Sequence, residues 1–167
     1  MTTRHTLVVL RHAKSDWSTG LEDRDRPLAD RGRRQAPEAG RWLAKHGPAP
    51  DHVIVSPAVR ARSTWELVAA ELPGTPSAHV VDRVYDASPD DLLSVLAELP
   101  ETARTGLLVG HNPGLEDLVE HLVGEPVRLA TSALALVDVR GPWSGIGRGS
   151  GRLLTSGRPP GRVQPGR

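Results

Sequence analysis

Four apolar residues, Leu7 to Leu10, run straight into Arg11, His12, Lys14 and Asp16. Short apolar stretches recur at 52–56, 107–110 and 133–139, with a weaker one at 78–82. Runs of this length suit strands buried on both faces, whereas the segments between them carry apolar positions at the spacing of a helix packed on one side. Alternating the two predicts an α/β fold: a three-layer sandwich whose central, mostly parallel sheet is flanked by helices.

The first helix is expected within 29–47, with a kink or break at Pro37, because proline in a helix interior costs about 3 kcal/mol. Ser56 as N-cap and Pro57 at the first helical position open the second, which continues to Leu72. Ser88-Pro89 opens a third in the same way, and a fourth covers 115–122. Beyond Gly141 the chain thins into Gly, Pro and Arg. Residues 152–156 are expected to return to the sheet as an edge strand or hairpin. Residues 158–167 are expected to form a flexible tail outside a domain of residues 1–157, since they offer little apolar surface to offset ordering.

Composition narrows the chemistry. At 167 residues one domain is expected. With no Phe and one Tyr, the core must come mainly from Leu, Val and Ala, with the four Trp as its largest pieces. The absence of Cys excludes disulfides, zinc-cysteine sites and a thiolate nucleophile. No apolar window approaches the length of a membrane span and no signal-peptide core is present, so the cytoplasm is the expected location. The net charge of +1 conceals six Arg and no acid from Arg140 onward. That segment suits weak contact with nucleic acid or an acidic partner; no other nucleic-acid contact and no membrane contact is expected.

Ligands of open parallel sheets bind beyond the carboxyl ends of the strands. There the sequence puts Arg11-His12, Ser56 with Arg60 one helical turn later, and His111-Asn112. Guanidinium forks and a helix N-terminus describe an anion site. Arg60 and Arg62 point to nearly opposite sides of their helix, and Arg60, nearer its start, is the one assigned to the rim. His12 is the candidate nucleophile toward phosphorus, and His111 a further donor or proton carrier. Lys14, Ser15 and Asp16 are candidates for a substrate-binding loop. His5, His46, His52, His79 and His121 are left without a role, and the Trp residues are read as packing groups.

Several stretches together resemble the histidine phosphatase superfamily, which includes phosphoglycerate mutases. LRHAKS (10–15) resembles its Arg-His-Gly motif, RPLADRG (26–32) its Leu-Thr-x-x-Gly element, and SPAVRARST (56–64) its Ser-Pro-x-x-Arg-x-x-x-Thr element. LLVGHNPG (107–114) resembles the strand and loop that carry its second histidine. The wording around His12 is similar to the SixA-type phosphohistidine phosphatase subgroup. The resemblance implies that His12 is the nucleophile, that Arg11 and Arg60 hold the phosphoryl group, and that His111 completes the pocket. It also implies a phosphatase that needs no metal or cofactor and hydrolyses a phosphohistidine or phosphomonoester through a phosphohistidine intermediate. The substrate would be a phosphorylated protein or a small phosphorylated molecule. The alternatives are a phosphatase of small metabolites or nucleotides, and a module that binds phosphorylated ligands without turnover. Two positions depart from the pattern: Ala13 replaces the usual Gly, and Ser18 an Asn of the larger members. No acid fits the usual proton donor; Asp86 and Asp16 are the candidates.

Overall fold

The computed structural model describes residues 3–74, 76–161 and 163–166. Its elements, in chain order, are β1 (Arg4–Arg11), α1 (Asp30–His46), β2 (His52–Val55), α2 (Val59–Ala69), β3 (Ala78–Val80) and α3 (Pro89–Ala97). There follow β4 (Thr105–Gly110), α4 (Gly114–Val123), β5 (Leu134–Arg140), β6 (Gly151–Gly157) and β7 (Gln164–Pro165). One sheet has the order β3-β2-β4-β1-β5-β6-β7. Its first four strands are parallel. β5, β6 and β7 extend it antiparallel, which needs no crossover helix.

Side chains alternate across this sheet, and the alternation builds two cores. Leu7 and Val9 of β1, with Ile54, Leu108, Ala135 and Val137, pack with Leu92, Leu96, Leu115 and Leu118 of α3 and α4. Val8 and Leu10, with Val53, Val55, Leu107 and Val109, pack with Ala36, Leu43, Ala61 and Trp65 of α1 and α2. The result is the expected three-layer arrangement. No helix of the described residues is long and apolar enough to cross a membrane.

α1 runs unbroken through Pro37, so of the expected kink or break the break does not occur. Its buried face of Gly32, Ala36, Ala39, Gly40 and Leu43 continues on both sides of the proline, and this packing outweighs one lost hydrogen bond. α2 starts at Val59 rather than Pro57, with Ala58 as its cap residue. The Ser56 hydroxyl accepts from Ala58 N–H at 3.3 Å and also has a tertiary partner, described below. α3 opens as expected, with a capping box between Ser88 and Asp91.

Part of the C-terminal segment expected as a flexible tail is paired to the sheet. Gln164 and Pro165 pair with Thr155 and Ser156. The Thr155 hydroxyl donates to the Gln164 carbonyl at 2.6 Å, and Gly166 N–H to the Leu154 carbonyl at 2.7 Å. Backbone pairing needs no apolar side chains, and a Cβ at Gly166 would collide with the Leu153 carbonyl. Arg162 and Arg167, which carry part of the tail's charge, lie outside the described residues. Trp143 is fully buried and Trp65 nearly so, but Trp17 is 73% exposed, against its reading as a packing group.

Gly32 tests how tightly α1 is set against the loop after β1. A Cβ there would fall on the Lys14 carbonyl oxygen, which already accepts from Ala29 N–H at 2.9 Å. In an unconstrained helix, Gly→Ala stabilises by about 1 kcal/mol. Gly32→Ala is expected to do the opposite, lowering stability by about 1 to 3 kcal/mol. Urea unfolding checks it, through a lower midpoint at unchanged slope.

Candidate functional site

The segment that leaves β1 is held by its backbone. His12 N–H donates to the Gly110 carbonyl at 3.1 Å, and the His12 carbonyl accepts from Ser132 N–H at 3.0 Å. Ala13 N–H donates to Thr64 Oγ1 at 2.9 Å, and Lys14 N–H to Gln35 Oε1 at 3.0 Å. Three elements, β4, α2 and α1, thereby fix the direction in which His12 leaves the strand. Ala13 has no left-handed φ, which agrees with an alanine in place of the usual glycine.

His12 is 7% exposed, and its Nδ1 lies 2.8 Å from the Ala13 carbonyl. A carbonyl only accepts, so Nδ1 carries the proton and Nε2 keeps its lone pair. Burial, reinforced by the charges of Arg60 and Arg11, holds the His12 pKa down to about 3, although the bond to Ala13 opposes it. The His111 ring lies 5.1 Å from that of His12, centroid to centroid. Its Nε2 is 2.7 Å from Ser56 Oγ. Burial, followed by the charge of Arg60, brings the His111 pKa to about 4. Both imidazoles are therefore neutral at physiological pH.

Three guanidinium groups surround them. Arg11 donates from one terminal nitrogen to the Leu129 carbonyl at 3.0 Å. Arg60, 5% exposed, spends its terminal nitrogens on Asp23, at 2.6 Å to the carbonyl and 3.0 Å to the carboxylate. Arg26, equally buried, donates to Ser15 Oγ and, at 2.8 Å, to the Asp23 carboxylate. Tyr85 adds its hydroxyl to the same carboxylate at 2.5 Å. These donors, Tyr85 foremost, hold the Asp23 carboxyl far below its ordinary pKa. Arg26, Asp23 and Tyr85 were not singled out from sequence. Arg26 opens the RPLADRG element, but nothing in EDRDR distinguishes Asp23 from a solvated acid.

Among the described residues, the buried side-chain polar atoms without a hydrogen-bond partner are Arg11 Nε, Arg60 Nε, His111 Nδ1, Asn112 Oδ1 and Ser132 Oγ. Such atoms are rare and costly, about 1 to 3 kcal/mol each, yet all five lie at this sheet edge. A cavity of about 250 Å³ is lined by Arg11, His12, Lys14, Ser15, Arg60 and His111, among others. An adjoining one of about 330 Å³ is shared by Asp23, Arg60, Tyr85, Asp86 and His111. The structure thus brings together His12, Arg11, Arg60, His111, Lys14 and Ser15. Asp16 is not among the lining residues: its carboxylate accepts from Ser18 N–H at 2.8 Å and Ser18 Oγ at 2.6 Å, closing a turn. Asp86 lines the second cavity, in a left-handed conformation with φ 52°. Arg62 points away, its Nε bonded to the Pro57 carbonyl at 3.0 Å.

Acid should act on this site through the imidazoles. An unfolded histidine binds a proton near pH 6.5, whereas the native rings resist until about pH 4 at His111 and about pH 3 at His12. The unfolded chain thus holds more protons in that interval, so stability falls as pH drops from 6.5. NMR titration is expected to find both rings neutral at pH 5. A midpoint near 6.5 for either ring would contradict its burial.

The histidine phosphatase superfamily (branch 1) profile matches residues 7–87. The uncharacterized protein Rv1276c of Mycobacterium tuberculosis is 34% identical over 158 residues, covering 87% of this chain and 96% of the relative. The protein histidine phosphatase SixA, solved with tungstate, is 27% identical with a TM-score of 0.81, over 92% of this chain and 97% of its own. A Nakamurella multipartitia protein assigned to SixA is 29% identical with a TM-score of 0.85, over 94% and 97%. With the fold and these matches in agreement, the chain belongs to the histidine phosphatase superfamily and is of the SixA type.

Proposed function

We propose that this chain is a phosphohistidine phosphatase that works without a metal, carrying the phosphoryl group transiently on His12 Nε2. The observation that supports this reading best is the set of buried nitrogens left unpartnered around a neutral imidazole: the donors Arg11 Nε and Arg60 Nε, and His111 Nδ1, which carries a proton in the tautomer whose Nε2 accepts from the Ser56 hydroxyl. Phosphoryl oxygens accept such bonds, and guanidinium groups meet the charge of the transferring group in place of a cation. The similarity to a protein histidine phosphatase supports the choice of substrate.

In the first step the Nε2 lone pair attacks phosphorus and the bond from phosphorus to the substrate imidazole breaks. The bond from His12 Nδ1–H to the Ala13 carbonyl stabilises the positive charge that develops on the ring. The departing imidazole leaves once its other nitrogen is protonated, so it needs little help from an acid. Asp86, which lines the cavity shared with His111, is the carboxyl we assign to that help where a poorer leaving group requires it. In the second step water attacks phosphorus, the bond to His12 breaks, and inorganic phosphate leaves with the imidazole restored. Arg11, Arg60 and His111 hold the equatorial oxygens throughout, and Lys14 and Ser15 line the same cavity.

Rapid quench of labelled phosphohistidine protein, with EDTA present, is expected to trap an acid-labile, base-stable phosphoenzyme that His12→Ala lacks while keeping its fold. Turnover that requires added Mg²⁺, or that proceeds in His12→Ala, would overturn the mechanism. The two neighbouring arginines provide a second test. Arg60→Ala should lower kcat/KM by at least about 100-fold, about 2.7 kcal/mol. Arg62→Ala, at a side chain turned away from the site, should cost less than about threefold, within the range of surface substitutions.

A further inference from the structure

Among the described residues three large apolar side chains are exposed, Trp17 at 73%, Leu21 at 56% and Val80 at 52%. Two of them, Trp17 and Leu21, belong to the loop that leads away from His12, and Trp17 itself lines the cavity that contains His12. The indole is not loose. The Arg26 guanidinium lies 3.7 Å from its ring centroid, and Arg26 is in turn fixed by Ser15 and Asp23. The turn between Trp17 and Leu21 is closed by the bonds of Ser18 to Asp16 and by Leu21 N–H on Thr19 Oγ1 at 3.4 Å. One face of the ring is thus pinned against a cation, and the residue remains mostly open to water at the mouth of the site.

The cavity of about 250 Å³ that contains His12 has Trp17 in its lining but not Leu21, so a ligand confined to that cavity leaves Leu21 uncovered. Only a larger body can cover both Trp17 and Leu21 while its phosphoryl group reaches His12. We infer that Trp17, supported by Leu21, is a docking platform for the folded protein that carries the phosphohistidine, and that it sets the preference for protein-bound over free phosphohistidine. The inference rests on the phosphatase reading above. Neither residue takes part in the transfer itself; the platform adds binding outside the reacting atoms.

The test compares free phosphohistidine with a small helical protein phosphorylated on a surface histidine by phosphoramidate, so that the bond broken is the same. Wild type should prefer the protein by at least about tenfold in kcat/KM. Trp17→Ala should lose about tenfold on the protein, mainly through KM, with a smaller loss on the free amino acid, whose cavity it also lines. Trp17→Phe, which keeps an aromatic face, should recover most of the loss, and Leu21→Ser should show a smaller loss of the same kind. Equal losses on both substrates would mean that Trp17 merely steadies Arg26, and would overturn the inference. So would Trp17-dependent binding to anionic lipid vesicles, or a dimer that Trp17→Ala dissolves. Wild type that cleaves free phosphohistidine without preferring the protein would remove the platform alone. Wild type inert toward both would remove the phosphatase reading as well.

Discussion

The organising constraint of this molecule is the gathering of like charges. Arg11, Arg26 and Arg60 converge with two imidazoles on one sheet edge, an arrangement that repels itself unless each group is balanced. Asp23 balances two of the guanidinium groups at once and is steadied by Tyr85, which lies 62 residues away in sequence. Arg11 is balanced from the other layer. Glu116 lies near enough to support its charge, and the same carboxylate accepts from Leu129 N–H at 2.7 Å, positioning the carbonyl that Arg11 uses. The imidazoles add no charge, because burial keeps them neutral. Positive charge is thereby concentrated without being fully spent, and each of Arg11 and Arg60 keeps one buried N–H unpartnered.

The parts of this arrangement that were legible in sequence are those fixed by local rules. An apolar run marks a buried strand, and the residue just after it marks the sheet edge, so Arg11-His12 and His111 could be located before any contact was known. Arg60 followed from helix geometry. The counter-charge was not legible, because Asp23 acts through partners brought to it by α2 and by the segment after β3. Asp16 lies outside the cavity lining for a related reason: its carboxylate accepts from the neighbouring Ser18.

Two serines of the same local pattern make the point more sharply. Ser56-Pro57 and Ser88-Pro89 both announce a helix start, and only Ser88 caps one. Nothing competes for the Ser88 hydroxyl, whereas that of Ser56 is within 2.7 Å of His111 Nε2. Propensity decided where tertiary contacts were silent, and yielded where they were not. Pro37 is the converse case, a local penalty overruled by a continuous packed face. The pairing of Gln164 and Pro165 was not legible, because composition registers missing apolar side chains and takes no account of backbone pairing.

That pairing has a bearing on solubility. The outermost strands of the sheet, β3 and β7, are three and two residues long. An unpaired strand edge is a template on which another chain can add, and length, flatness and free N–H groups make it effective. Pro165 has no N–H to offer, and Gly166 occupies the Leu154 carbonyl that would otherwise face outward. The long apolar strands, β1, β4 and β5, are all flanked on both sides. By stitching residues 164–166 onto β6, the chain blunts the flank on which edge-to-edge aggregation would begin.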